Sequence, residues 1–187
     1  REVNMNSAQG FDKTKVVFIS RLTAKKGIER FLEIVDMLDS EFFEVHVAGS
    51  GDQHYHDVLT ERANNSANVY FHGLVSGEMK ERFFMNADIF LFPSHSENFG
   101  IVIAEALGYG VSVVTSVSQP WVKYAKSGVL EINDMQNKSN VVQVIIKMAE
   151  QRRIKENLVS TQCRLIATTY FSEEVHNKQL DAVYKSM

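Results

Sequence analysis

In the stretch FLFPSHSENFGIVIAEALGYG, residues 90–110, Glu97 and Glu105 stand eight positions apart around Gly100. An apolar run ends at Pro93, a short polar loop follows, and a helical pattern begins at Gly100. The first N–H groups of a helix have no partner within it, so Asn98, Phe99 and Gly100 can offer donors to an anion or a polar ligand. Gly100 also removes a side chain where something must come close. Glu97 precedes these donors and reads either as an N-cap acceptor or as a ligand-binding acid. Glu105 sits among Val102, Ile103, Ala104, Ala106 and Leu107. A carboxylate so embedded needs a partner, either a lysine or arginine of the chain or a ligand.

Upstream, SRLTAKKG places Arg21 after one apolar run and Lys26 at the entry to a helical pattern. An arginine fork and a lysine point charge beside a helix start make a good diphosphate clamp. The alternative is two solvated surface cations. AGSGDQ carries Gly49 and Gly51, which serve either close approach of a ligand or a tight turn. The third glycine of a dinucleotide fingerprint is missing, and no Walker A loop occurs. His54 and His56 lie on a polar helical stretch, and two such ligands do not make a metal site.

These groups need elements to position them. The apolar runs at 15–20, 43–49, 68–73, 87–94, 112–116 and 128–132 read as strands. Helical patterns fill 27–39, 53–65, 76–86 and 99–109, and follow the last strand at 136–150, 153–169 and 172–186. Regular β-then-α alternation predicts an α/β fold, a Rossmann-like parallel sheet of about six strands with helices on both faces. In such sheets ligands bind beyond the carboxyl ends of the strands, which is where the loops named above lie.

With FISRLTAKKG, VHVAGSGD and VYFHGLVSGEMKERFFMNADIFLFPS preceding it in order, the E-N-F-G-I-V-I-A-E segment resembles the carboxyl-terminal, nucleotide-sugar-binding domain of retaining GT-B glycosyltransferases, the glycosyl transferases group 1 kind. The resemblance covers residues 14–132 well. It implies that residues 15–187 form a donor-binding domain and that 1–14 are a linker or remnant of a preceding, acceptor-holding domain. It implies roles for single positions. Arg21 and Lys26 would neutralise the donor diphosphate, Glu105 would bind the ribose hydroxyls, and Glu97 would lie near the transferred sugar. The N–H groups of Asn98, Phe99 and Gly100 would hold sugar hydroxyls or phosphate oxygens. The backbone near Leu74 and Val75 would meet the base, and Gly49 and Gly51 would line the cleft. It implies a UDP- or GDP-linked hexose donor and no metal, and no D-x-D metal motif is visible. A fragment lacking the acceptor domain would be inactive alone. A nucleotide-sugar epimerase and a non-catalytic nucleotide-binding module are the alternatives.

Two departures from the family pattern stand out. Ser112 replaces the usual proline before the fifth strand, and SVSQPWVKYAKSG replaces a Gly-Gly pair with a later acid, so loop 116–126 carries no assigned role. Trp121 and Tyr124 there either cap the pocket or pack. Val141, Val142, Val144, Ile145 and Met148 read as core, and the run EQRRIKE (150–156) as a solvated helix junction, with peripheral membrane contact as the alternative. A net charge of −3 argues against a nucleic-acid footprint. The single cysteine, Cys163, excludes an internal disulfide and suits a reducing, cytoplasmic setting.

Overall fold

The structure is a computed structural model that describes residues 12–64, 68–97, 100–116, 121–125 and 127–172. Six parallel strands run in the order β3-β2-β1-β4-β5-β6: β1 (Thr14–Ile19), β2 (Phe43–Ala48), β3 (Val69–Phe71), β4 (Ile89–Phe92), β5 (Ser112–Thr115) and β6 (Leu130–Ile132). Between them lie α1 (Ile28–Val35), α2 (Gln53–Asn64), α3 (Gly77–Met85) and α4 (Ile101–Gly108), and α5 (Lys138–Phe171) follows. The reversal falls between β1 and β4, which pair at Val16↔Ile89 and Val17↔Phe90. The central strands β4 and β5 are buried throughout, as apolar runs covered on both faces must be.

The helical spacing of α1 buries Ile28, Phe31, Leu32, Ile34 and Val35 against the sheet. Phe31 meets Phe18 of β1 with ring centroids 5.1 Å apart. Small residues let α4 lie close, with Ile103, Ala104, Ala106 and Leu107 buried. The two helices expected over 136–150 and 153–169 are one long α5 broken by non-helical geometry at Lys155. The helix expected at 172–186 lies outside the described residues. Two short 3-10 turns, Ala24–Lys26 and Trp121–Tyr124, lack the length that gives a periodic signal.

The charged run 150–156 is not wholly solvated. Arg152 turns inward, donating from Nε to Asp88 Oδ1 at 2.7 Å and from Nη1 to the Gly110 carbonyl at 2.8 Å. Asp88 also accepts the Lys15 N–H at 2.8 Å. This clasp fastens α5 to the amino edges of β1 and β4. Among the described residues no helix is long and apolar enough to cross a membrane.

Cys163 is fully buried in α5, and burial pushes its thiol up to about 11 despite a hydrogen bond with Ser112. Ser112 thus replaces the usual proline with a group that reaches α5. The thiol is expected to resist an aromatic disulfide reagent at pH 8 in the folded chain and to react promptly in urea. Fast native labelling, followed by absorbance, would contradict this burial.

The turn after β1 depends on Gly27, whose φ is +74° and whose missing Cβ would lie 2.1 Å from the Pro93 carbonyl oxygen. Gly73 shares the positive φ but faces open space. Gly27→Ala is therefore expected to destabilise the chain by more than the roughly 1–3 kcal/mol of left-handed strain that Gly73→Ala should show. Urea unfolding of both variants measures the difference, and equal losses would remove the steric part.

Candidate functional site

A cleft of about 530 Å³ opens at the carboxyl ends of the strands, where the order reverses. Arg21, Lys26, Glu97 and Glu105 all line it, although Lys26 and Glu97 lie 71 residues apart in sequence. Backbone contacts explain their convergence. The His95 N–H donates to the Lys25 carbonyl at 3.0 Å, and the Ser94 hydroxyl donates to Lys25 and Ser96 carbonyls at 3.4 and 3.1 Å. The Ser116 hydroxyl donates to the Ser94 carbonyl at 2.6 Å, bracing the loop from β5.

Lys26 Nζ pairs with Glu97 Oε2 at 2.5 Å and lies 5.8 Å from the centroid of the Phe92 ring. Both charged side chains of the pair are mostly buried. Arg21 is exposed at the mouth, with no ion pair among the described residues. Glu105 is half-exposed, and Lys80 Nζ donates to both of its oxygens at 2.7 Å. The embedded acid's protein partner is thus a lysine one turn into α3. The sequence carried a faint signal for it: a lysine on a helix that starts just behind Leu74 and Val75 can reach the same cleft.

Leu74 and Val75 line the cleft beside Lys80, with Leu74 largely exposed and Val75 buried. Gly49 also lines it, but the space of its missing side chain is taken by the Ser20 carbonyl, 1.8 Å from an ideal Cβ. Gly51 is not among the lining residues; it bridges to Leu22. The missing side chains of both glycines thus admit the turn after β1, and Gly49 also presents its backbone to the cleft. Gly100 lines the cleft with φ +60° and precedes α4 directly. Asn98 and Phe99 lie outside the described residues, as do 117–120 and 126. Trp121 is fully buried and absent from the lining, so it packs rather than caps. Among the described residues no three metal-ligating side chains cluster.

Chemically, the cleft offers three cations, two carboxylates with spare lone pairs, and a helix start, set on an apolar floor of Ile19 and Phe92. That combination suits a ligand carrying both negative charge and hydroxyl groups.

Comparison with known proteins finds sequence relatives and structural neighbours among glycosyltransferases and sugar-nucleotide-binding proteins. An uncharacterized glycosyltransferase of Methanocaldococcus jannaschii is 35% identical over 107 residues, covering 56% of this chain and 27% of that protein. Sucrose-phosphate synthase of Thermosynechococcus elongatus superposes with a TM-score of 0.77 at 18% identity, over 94% of this chain and 45% of that one. Anabaena HepE, crystallised with UDP-glucose, superposes with a TM-score of 0.70 at 20% identity, over 94% of this chain and 50% of that one. The chain thus spans half or less of the length of each, with the sheet and helices of the GT-B glycosyltransferase fold. Residues 4–161 match glycosyl transferases group 1, and with most of its length so matched the chain belongs to that family.

Proposed function

We propose that the chain is the carboxyl-terminal, donor-binding domain of a retaining glycosyltransferase that moves a hexose from a UDP- or GDP-sugar to an acceptor. The observation that carries this is the meeting of Arg21, Lys26, Glu97 and Glu105 in one cleft at the strand-order switch. A structural relative that holds UDP-glucose on the same fold supports the donor class.

In this reading Arg21 and Lys26 bind the diphosphate, and Glu105 accepts from the ribose hydroxyls through lone pairs that Lys80 leaves open. Leu74 and Val75 meet the base through their backbone. Glu97 lies between Lys26 and the sugar and binds its hydroxyls. The chain before Gly100 adds N–H donors from Asn98 and Phe99.

Transfer breaks the bond between the anomeric carbon and the diphosphate oxygen and makes one to the acceptor oxygen on the same face, while the acceptor hydroxyl's proton passes to the departing diphosphate. Positive charge builds on the ring, and negative charge builds on the departing nucleotide diphosphate. Arg21 and Lys26 stabilise that second charge without a metal. The acceptor and the remaining reactive-centre contacts come from an amino-terminal domain of a longer chain, so this chain binds donor without turning it over.

Calorimetric titration with UDP, GDP and their hexose conjugates tests the reading. Micromolar to millimolar binding of one base series is expected, with no sugar transfer. Glu105→Ala should cost about 1.5–3 kcal/mol of donor binding, the usual worth of a charged hydrogen bond. Lys80→Met, which breaks the same ion pair but keeps the acid, should cost less. Equal losses would make the ion pair, not ribose binding, the role of Glu105, and no heat with any nucleotide would overturn the donor assignment. Donor epimerisation by the longer protein, in place of transfer, would point to an epimerase.

A further inference from the structure

A second hollow lies beside the cleft, on the half of the sheet formed by β1, β2 and β3. Register puts Lys15 beside Glu44 and Val17 beside His46. With His72, just past β3, and Met79, Arg82 and Phe83 of α3, Lys15, Val17 and His46 line a space of about 410 Å³. Val75 lines both hollows and separates this one from the cleft.

Its polar wall is an ordered relay. His46 Nε2 lies 3.1 Å from Glu44 Oε1, and His46 Nδ1 lies 2.8 Å from His72 Nε2. A carboxylate only accepts, so Nε2 of His46 carries the hydrogen and its Nδ1 accepts from His72 Nε2–H. The lone pair of the outer imidazole then rests on His72 Nδ1. Tyr70 stacks on His46 at 5.2 Å, and Phe83 meets His72 edge-on at 5.4 Å. Burial, and then the neighbouring His46, lower the His72 pKa, which favours a neutral His72 imidazole.

The charges facing the hollow are cationic. Lys15 and Arg82 line it, and among the described residues no carboxylate does. Glu44 sits behind His46, 3.6 Å from Lys15 Nζ, and Glu78 approaches Arg82 at 3.8 Å in full solvent, a pair too screened to neutralise it. Val17, Val75, Met79 and Phe83 make the remaining wall apolar.

We propose that this hollow binds a small apolar anion of the aromatic carboxylate class, with its ring against Val17, Met79 and Phe83 and its charge in the field of Lys15, Arg82 and a protonated His72. The relay suits the task. A proton taken up at Nδ1 leaves the N–H···N bond intact, and Glu44 at the far end offsets the charge. The pair can therefore take one added proton with that bond intact, and a second only by breaking it. The ligand is chemically unlike a nucleotide sugar, and the site shares no charged side chain with the donor cleft.

Calorimetric titration of the chain with 2-naphthoate, and with 2-naphthalenemethanol as its uncharged counterpart, tests this. Naphthoate is expected to bind about tenfold or more tightly than the alcohol, the equivalent of one charged hydrogen bond. Binding should tighten as pH falls through the histidine range, since the anion favours the protonated pair. Arg82→Glu, at an exposed position that leaves the core untouched, should weaken naphthoate about tenfold by the same measure. Nitrogen-15 spectra of the imidazoles should show His72 moving on addition of naphthoate, and Glu105→Ala should leave binding unchanged. Equal affinity for acid and alcohol, an unmoved His72 signal, indifference to Arg82→Glu or to pH, or loss of binding in Glu105→Ala would each overturn the proposal, as would no heat at millimolar naphthoate.

Discussion

The closeness of two turns sets everything at the cleft. The turn after β1 and the turn after β4 belong to adjacent strands, and the Pro93 carbonyl oxygen lies 2.1 Å from where a Cβ on Gly27 would be. Gly27 is the position that permits it, since any side chain would run into Pro93. The hydrogen bonds from His95 and Ser94 onto Lys25 then hold the two turns at a fixed offset. Each such bond is worth only about 0.5–1.5 kcal/mol net. Several together, over a joint with no slack, suffice to bring Lys26 to Glu97. A less intimate joint would leave a surface lysine and a surface acid with nothing in common.

The second constraint is charge. A cleft holding Arg21, Lys26 and Lys80 would repel itself if no acids stood between them, and one holding only Glu97 and Glu105 would be no better. The chain alternates the signs: Lys26 with Glu97 from the β1 and β4 turns, and Lys80 with Glu105 from α3 and α4. Solvent screening in the half-exposed Lys80–Glu105 pair, and desolvation in the mostly buried Lys26–Glu97 pair, keep the net contribution of each to folding small. Their value lies in holding carboxylate and ammonium groups in place at little cost until a ligand competes for them. Arg21, exposed and outside both pairs, leaves the set of five side chains with one surplus positive charge at the mouth. That surplus favours an incoming anion.

Much of this was legible in the residues. The alternation of β-rich runs and helical periods predicts the strand and helix content because β4 and β5 are apolar runs too short to be anything but buried strands. Arg21, Lys26 and Glu97 follow from loop position once the sheet is known to be parallel, whereas Glu105, inside α4, is marked by its apolar neighbours. What the residues could not show is who pairs with whom. Glu105 visibly needed a partner, but Lys80 is 25 residues away on another helix, and only the packing of α3 beside α4 brings it near. Arg152 misled for a related reason. A run of alternating charges reads as solvated, yet one guanidinium turns inward to Asp88 because the carbonyl of Gly110 and the carboxylate lie together beneath α5. Gly49 and Gly51 were open to two readings; the Ser20 and Leu22 carbonyls pressed against them account for both as tight approaches of chain to chain, while Gly49 lines the cleft as well.

The departure from the family pattern after β5 has its own physical sense. Trp121 stacks on Tyr170 of α5 with ring centroids 4.4 Å apart, and its indole nitrogen lies 2.9 Å from where a Cβ on Gly100 would be. The indole therefore backs the start of α4 rather than facing the cleft. A Gly-Gly turn would leave that space to backbone or ligand; here an aromatic fills it and is in turn held by the last turns of α5. Aromatic stacks of this kind add about 0.5–1.5 kcal/mol beyond the area they bury. The support runs from α5 through Trp121 to Gly100, so the helix start that faces the cleft is positioned from the far end of the chain. In the cleft's chemistry the departure thus changes what stands behind Gly100, while the charged pairs in front of it are left as the two turns set them.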